Sequence, residues 1–295
     1  MPSEQIQWFP GHMAKTRRLI KEHLALVDVV IELLDARIPY SSKNPEIGSI
    51  CSGKPILTVF NKASLSDPAV NRQWIAFYKE SGLNPLFIDC RTGAGLKNIA
   101  PEIRRILADK LKKYEEKGMA GRRLKAMVVG VPNVGKSTFI NCLAGSAKAK
   151  AEDRPGVTQN KQWVTTSIGI DLLDMPGVLW PKFEDQRVGR CLAATGAIKD
   201  DILDLETLAA DLCAQLYAIA PEKLCARYKL EKDALEGLDG REILLLIGKK
   251  RGCLLPGGVV DSERAANLLL DEFRSAKIGQ ISLETPAAFG GTADA

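Results

Sequence analysis

The feature that most constrains this chain is a glycine-rich segment at residues 130–137, which reads G-V-P-N-V-G-K-S. It fits the P-loop pattern G-x4-G-K-[ST], and it follows an apolar run and precedes helix-like residues, as that motif requires. In this pattern backbone N–H groups around Gly135 converge on phosphate oxygens, Lys136 adds a positive charge, and the Ser137 hydroxyl can ligate Mg²⁺. The alternative is a glycine-rich turn that matches by composition alone. The flanking strand and helix favour a phosphate site.

The rest of the chain divides into two kinds of pattern. Short apolar runs alternate with helix-like segments from residue 27 to about residue 173, which is typical of βαβ units and a parallel sheet. After about residue 195 only helix-like periodicity and helix-end signals remain. We predict strands at residues 27–34, 55–60, 85–89, 124–130, 162–167 and 169–173.

The predicted fold class is therefore α/β, a P-loop domain with a parallel sheet followed by an all-α domain. The predicted domains are residues 1–195 with a linker at about residues 115–123, the helical domain at residues 196–285, and a disordered tail at residues 286–295.

Two elements downstream of the P-loop extend the phosphate site. Asp174-Met175-Pro176-Gly177 ends the last predicted strand and fits a DxxG element, which places a carboxylate near Mg²⁺ and the Gly177 N–H near the γ-phosphate. Thr158, in the segment R-P-G-V-T, lies where a threonine hydroxyl completes the magnesium shell. The alternative for Thr158 is a loop residue without a role. We predict Ser137, Thr158 and Asp174 as the magnesium ligands.

An element upstream of the P-loop predicts base recognition. Asn61-Lys62-Ala63-Ser64 follows a buried-looking strand and is similar to the N-K-x-D element that binds guanine. Ser64 stands where a carboxylate is expected, so guanine affinity or selectivity should be lower by about 1–3 kcal/mol. Asp89-Cys90 loosely fits the S-A-K position, with the Cys90 N–H as the donor to the guanine O6. A polar turn after a strand is the alternative.

The order of these elements is itself informative. An ordinary GTPase has the P-loop first and the two base elements last, whereas here the base elements come first, which indicates a circular permutation. A linker around residues 118–121 would join the old termini. The residues predicted to bind GTP are Asn61, Lys62, Ala63, Ser64, Asp89, Cys90, Asn133, Val134, Gly135, Lys136, Ser137, Thr138, Thr158 and Gly177.

Segments throughout the chain carry a resemblance to a known family. They are residues 8–15 (W-F-P-G-H-M-A-K), 27–36, 130–137, 154–158, 172–177, 179–185, 261 and 283–286. In these segments the chain resembles the bacterial ribosome biogenesis GTPase A (RbgA, or YlqF) family. The resemblance implies hydrolysis of GTP to GDP coupled to late assembly of the large (50S) ribosomal subunit. It also implies ribosomal RNA and ribosomal proteins as partners rather than DNA, and we expect a monomer off the ribosome. The N-terminus does not resemble a signal peptide and no run approaches the roughly 18 apolar residues of a membrane span, so we predict a cytoplasmic protein without a membrane partner.

The resemblance also suggests how the reaction is catalysed. Many GTPases orient the attacking water with a glutamine after DxxG, but here Val178 follows. His12 is the candidate that the resemblance supports for this role, and a structural histidine is the alternative. Asn133 is similar to the asparagine with which related GTPases hold K⁺, and Lys136 completes the predicted catalytic set.

The distribution of charge along the chain indicates the kind of partner that it binds. Residues 1–195 carry 29 Lys/Arg against 19 Asp/Glu in a chain of net charge +5, which suits a polyanion such as RNA. The chain leaving DxxG runs into the helical domain, so the γ-phosphate could reorient that domain, in which Lys249-Lys250-Arg251 is the best phosphate-contacting segment. Alternatives are a regulatory module that binds a protein without RNA and, because of Ser64, a P-loop ATPase. The seven cysteines include no C-x-x-C pair and predict reduced thiols rather than zinc ligands or disulfides.

Overall fold

The computed structural model describes the backbone of residues 12–145 and 163–289, and side chains from residue 14 onwards within these ranges. All six predicted strands are present, and three of them end one residue later than predicted while the other three end one or two residues earlier. They are β1 Val29–Asp35, β2 Ile56–Asn61, β3 Leu86–Phe87, β4 Leu124–Val129, β5 Trp163–Thr165 and β6 Ile170–Asp174. They form one sheet in the order β3-β2-β1-β4-β6-β5, and every pair is parallel except β5 with β6. The predicted α/β class is confirmed.

The sheet shows the permutation in space. The P-loop strand β4 lies at its centre, between β1 from the first part of the chain and β6 from the part after the P-loop. If the strands are counted from β4 onwards and then from β1, the order across the sheet becomes 6-5-4-1-3-2. The order reverses between β1 and β4, and at such a point the carboxyl ends of the strands open a ligand crevice.

Burial explains why β1 and β4 are central. All seven residues of β1 and five of the six in β4 are buried, as expected of parallel strands covered on both faces. Before β6 the chain also forms α1 His12–Leu24, α2 Ile47–Ile50, α3 Pro68–Glu80, α4 Ile99–Ile106, α5 Ala108–Glu116 and α6 Lys136–Ala144. Helix α6 starts directly from the P-loop, and the permutation linker follows α5.

The rest of the described chain is helical. Its helices are α7 Gln186–Ala194, α8 Leu205–Ile219, α9 Pro221–Tyr228, α10 Gly240–Lys250, α11 Ser262–Arg274 and α12 Pro286–Phe289. Side chains cap their starts: Asp204 accepts from Thr207 N, Asp239 and Glu242 form a capping box, and Asp261 accepts from Arg264 N.

The helices and the sheet share a core. The buried side chains of α7, α8, α10 and α11 form one continuous hydrophobic cluster with those on one face of the sheet. The helical region is therefore packed directly on the nucleotide-binding half, and α7 already precedes the predicted boundary at residue 195. Among the described residues, no helix has both the length and the apolar character needed to cross a membrane.

The first four residues of the predicted disordered tail are helical. The predicted tail at residues 286–295 starts with helix α12, and the Phe289 ring lies 5.1 Å from that of Tyr40 and 4.7 Å from the Arg187 guanidinium. Packing of a single aromatic side chain against the domain fixes a segment whose small residues otherwise predicted disorder. Residues 290–295 lie outside the described part of the chain.

Candidate nucleotide site

The P-loop backbone is shaped by two glycines that no other residue could replace without strain. Gly130 has φ +155°, and a Cβ there would lie 2.4 Å from the Leu33 carbonyl oxygen. Gly135 has φ +99°, and a Cβ there would lie 2.5 Å from Asn61 Nδ2. Both glycines allow the loop to lie against the ends of β1 and β2. The phosphate loop and the base loop therefore touch.

Lys136 lies folded along this loop. The residue is buried, and its Nζ donates to the carbonyl oxygens of Gly130 at 3.2 Å and Val131 at 3.0 Å. Burial lowers the pKa of Lys136 to about 8, although the Asp174 carboxylate opposes that shift. A bound polyphosphate would supply the negative charge that this buried ammonium lacks. The side chain thus lies beside the predicted phosphate position.

Ser137 and Asp174 meet where a metal ion is predicted. Ser137 Oγ lies 3.5 Å from Asp174 Oδ2. Burial raises the pKa of Asp174 above its usual value, although the Lys136 charge and the Ser137 hydrogen bond oppose that shift. Mg²⁺ typically takes one or two protein oxygens and completes its shell with phosphate and water. In keeping with so sparse a set, the described residues include no group of three or more His, Cys, Asp or Glu side chains able to hold a metal. The two oxygens fit Mg²⁺.

The DxxG element packs against the P-loop. A Cβ on Gly177 would lie 2.9 Å from the backbone N and Cα of Pro132, and the Val178 N–H donates to the Gly130 carbonyl at 3.1 Å. The Val178 side chain is 1% exposed, so it lies in the core and cannot hold a water molecule. A group that orients the attacking water must come from another part of the chain.

Asn61 ties the base loop to both of its neighbours. Its Nδ2 donates to the Val134 carbonyl at 2.9 Å, and its Oδ1 accepts from the Cys90 N–H at 3.2 Å. The predicted Asn61, Val134 and Cys90 are thereby brought together, across 73 residues in the case of Val134. The Cys90 N–H already has an acceptor within the chain, so its contact with a guanine O6 stays a prediction that requires exchange or sharing of this hydrogen bond.

Lys62 belongs to a buried ionic cluster that the sequence analysis did not identify. Its Nζ donates to Asp35 Oδ2 at 3.0 Å and to the Asn133 carbonyl at 2.7 Å. Arg37 binds both oxygens of Asp35, at 2.9 and 2.7 Å, and is 1% exposed. Burial alone would raise the pKa of Asp35, but the charges of Arg37 and Lys62 hold it well below its usual range. The available signal was D-A-R at the end of the mostly apolar run V-V-I-E-L-L.

Ser64 lies beside a carboxylate supplied by another loop. Its N–H donates to Asp89 Oδ2 at 3.0 Å, while Asp89 Oδ1 accepts from the N–H groups of Arg91 at 3.0 Å and Thr92 at 2.9 Å. Burial alone would raise the pKa of Asp89, yet these hydrogen bonds and one from the Ser64 side chain lower it. Asp89 is thus ionised but holds the loop together. Asp67 is the cap of α3 and does not replace the missing aspartate.

The exchange Ser64→Asp tests whether this position limits guanine recognition. An added carboxylate would accept from guanine N1 and N2, and the Arg91 guanidinium, 3.4 Å from Ser64 Oγ, would offset the nearby charge of Asp89. We expect the preference for GDP over ADP to rise about tenfold or more, the usual scale of a charged hydrogen bond. Isothermal titration of both nucleotides measures it, with Asp67→Asn as the control. An unchanged preference would show that Ser64 is not limiting.

Asn133 connects the P-loop to the helical region. It has φ +56°, and its Nδ2 donates to the Gly196 carbonyl at 2.7 Å, just beyond the end of α7. The side chain is exposed, and its amide oxygen is the atom that could ligate K⁺. The potassium site stays a prediction.

The remaining predicted residues are placed as follows. The Ala63 N–H donates to the carbonyl of Ile88, the residue after β3, and Thr138 is exposed on α6. Thr158 lies outside the described residues. His12 is the first residue of α1, but its side chain is outside the part that the structure describes.

Comparisons with known proteins agree with this geometry. A family model described as 50S ribosome-binding GTPase matches residues 125–239. A ribosome biogenesis GTPase A from Bacillus cereus is 48% identical over 288 residues, which cover 97% of this chain and 95% of that protein. A mitochondrial ribosome-associated GTPase 1 from Mus musculus is 33% identical over 94% of this chain and 90% of its own.

Solved structures of a relative share the fold. The GDP-bound structure of YlqF from Thermotoga maritima has a TM-score of 0.65 and 27% identity, covering 92% of this chain and all of that one. The GNP-bound structure of the T. maritima protein has a TM-score of 0.63 and 26% identity over 92% of this chain. The relatives are matched over nearly their entire length, so the similarity includes the helical region.

Proposed function

This chain belongs to the ribosome biogenesis GTPase A family, and we propose that it hydrolyses GTP to GDP in the service of late assembly of the large ribosomal subunit. It would act in the cytoplasm, as a monomer off the ribosome, and bind ribosomal RNA and protein in its GTP state. The observation that carries the proposal is the contact between the two halves of the site. Asn61 of the base loop bonds Val134 of the P-loop, and Gly135 packs against the Asn61 amide.

The chemistry follows from the groups around this contact. Lys136 neutralises charge on the β- and γ-phosphates, and Ser137 and Asp174 would hold Mg²⁺, which in turn stabilises the charge that develops on the phosphate oxygens. We assign Thr158 as a further ligand, Asn133 as the potassium ligand and His12 as the group that orients water. Val178, buried in the core, leaves that last role open to a residue from elsewhere.

Contacts between the site and the helical region offer a route for the switch. Asn133 bonds the Gly196 carbonyl, and Arg37 Nη1 donates to the Arg274 carbonyl at 3.4 Å. The Arg274 side chain bonds the carbonyls of Ala193 and Ala194 at the end of α7. Both the P-loop and the segment that follows β1 therefore reach the same corner of the helical region. We propose that γ-phosphate binding repositions this corner and thereby sets affinity for the ribosomal partner.

Co-sedimentation with purified large ribosomal subunits tests the function. We expect more of the chain to pellet with a non-hydrolysable GTP analogue than with GDP, because only the former supplies a γ-phosphate to the site. Pelleting should also weaken as salt rises, since contacts to RNA phosphates release counterions. Equal pelleting with both nucleotides would contradict the proposed switch. Association that is insensitive to salt would favour a partner recognised without RNA.

A further inference from the structure

Positive charge is concentrated in one short segment of this chain. Residues 97–125 carry ten Lys/Arg against four Asp/Glu, a net charge of +6 in a chain whose total is +5, so the remainder has a net charge of −1. The segment comprises α4, α5 and the linker that leads into β4. The permutation requires this linker, and none of the residues predicted to bind the nucleotide lies in it.

The segment surrounds a groove at the edge of the sheet opposite to the nucleotide. The groove has a volume of about 340 Å³ and lies where β4 begins, at Leu124, and where Gly169 precedes β6. Three arginines line it, Arg104, Arg122 and Arg123. The P-loop follows the other end of β4, which at about 3.3 Å per residue is roughly 20 Å away. A ligand in this groove, which we call the amino-edge groove, would not cover the nucleotide.

Two of these arginines have no carboxylate partner in the part of the chain that the structure describes. Arg123 pairs with Asp171 at 2.8 Å. Arg104 is exposed and donates to the Ile168 carbonyl at 3.1 Å, and Arg122 is exposed and lies over the Tyr114 ring at 5.0 Å. Within the described residues neither Arg104 nor Arg122 forms an ion pair. Lys117, next to the groove at the end of α5, is likewise exposed and unpaired in this part of the chain.

We propose that the amino-edge groove binds the phosphate backbone of RNA, with Arg104 and Arg122 as the main contacts. Guanidinium groups bind phosphate oxygens in a bidentate manner and stack on bases, and an aromatic ring beside them offers a further stacking surface. The choice of RNA rests on the proposed ribosomal function, whereas the choice of a polyanion rests on the charge alone. The groove also contains Glu115, so contacts concentrate on the two unpaired arginines rather than on the whole face.

The predicted segment Lys249-Lys250-Arg251 is a weaker candidate for this role. Arg251 is bound to Glu272 at 2.8 Å, so it is not available for phosphate. The loop after it exposes Leu254, Leu255 and Val259. That surface is therefore more apolar than the sequence alone indicated.

Charge reversal in the groove tests the proposal. Binding of the full chain to a fluorescein-labelled RNA hairpin is measured by anisotropy across about 50 to 200 mM salt, for wild type and Arg104→Glu/Arg122→Glu. We expect the variant to bind at least about tenfold more weakly and the slope of log K against log[salt] to fall by about one per lost contact. The matched control is Arg72→Glu/Lys79→Glu, which makes the same change of charge at exposed positions of α3.

Two results would overturn the proposal that the amino-edge groove binds RNA. Equal weakening by the α3 control would overturn the proposal, because the loss would then reflect net charge. Competition by polyglutamate as effective as by unlabelled RNA would also overturn it, in favour of an acidic protein partner. Arg122→Glu/Lys117→Glu repeats the test without the Arg104 hydrogen bond to the sheet. The anisotropy assay contains no nucleotide, so it can fail while GTP-dependent pelleting succeeds, and the two proposals are tested separately.

Discussion

Lys136→Ala should reduce turnover of GTP by about 10²–10³ and weaken nucleotide binding to a similar degree, the scale expected when one preorganised charge on a transferring phosphoryl group is lost. The structural reason is the position of Nζ, which is buried between the Gly130 and Val131 carbonyls with no other lysine in the P-loop to replace it. Titration with a fluorescent GDP analogue and single-turnover hydrolysis measure both effects.

A measurement of stability distinguishes this loss of nucleotide binding and turnover from misfolding of the Lys136→Ala variant. Burial already lowers the pKa of Lys136 to about 8, so the charged side chain is held at a free-energy cost in the absence of phosphate. Removing it should therefore lower the free energy of unfolding in urea by less than the roughly 1–3 kcal/mol typical of a destabilising substitution. A variant that unfolds early would attribute the loss of activity to folding, and one that binds GDP normally would remove Lys136 from the site.

The same group gives nucleotide binding a pH dependence. The protonated form binds phosphate, and a bound polyphosphate raises the pKa of Lys136 above its value of about 8 in the free protein. Below pH 8 Lys136 is already protonated in the free protein, so GDP affinity should not depend on pH in that range. Above pH 8 binding must take up a proton, and affinity should fall by up to about tenfold per pH unit.

Local motifs explain what the sequence could predict. Gly130–Ser137, Asp174–Gly177 and Asn61–Ser64 each follow the end of an apolar strand, and the strands of a parallel sheet bring those ends to one edge. The fold class and the meeting of the phosphate and base loops were therefore predictable. The exact positions of the side chains depend in addition on the register of the strands, which places Asp35 and Asn61 directly opposite each other across β1 and β2.

The contacts that the sequence could not predict are those between side chains far apart in the chain. Arg37 reaches the Arg274 carbonyl across 237 residues, and the Glu284 carboxylate accepts from the Tyr40 N–H across 244. No spacing or periodicity in the chain records such pairs, because each depends on how α11 and the C-terminal segment pack on the sheet. The helix at residues 286–289 was missed for the same reason, since Phe289 is fixed by Tyr40 and not by its neighbours in sequence.

Asp35→Ala should be the most destabilising of the substitutions considered. It leaves Arg37, 1% exposed, as a buried cation without its bidentate partner and frees Lys62 from its place beside the P-loop. Removing one member of a buried ion pair costs about 3–5 kcal/mol. The control is Asp171→Ala, whose partner Arg123 has a side chain that is 41% exposed, so its loss should cost no more than about 1 kcal/mol. Urea unfolding of both variants at neutral pH measures the difference.

The stability that Asp35 contributes should depend on pH in a defined direction. The pKa of Asp35 is held well below its usual range in the folded chain by the charges of Arg37 and Lys62, against the opposing effect of burial. Its contribution is therefore complete above the unfolded pKa of about 4 and is lost as the pH falls through the lower folded value. The gap in stability between wild type and Asp35→Ala should stay constant from pH 7 to about pH 5 and narrow only below about pH 4. A gap that instead closes near neutral pH would mean that Asp35 is not the ionised centre of the cluster that joins β1, the base loop and the helical region.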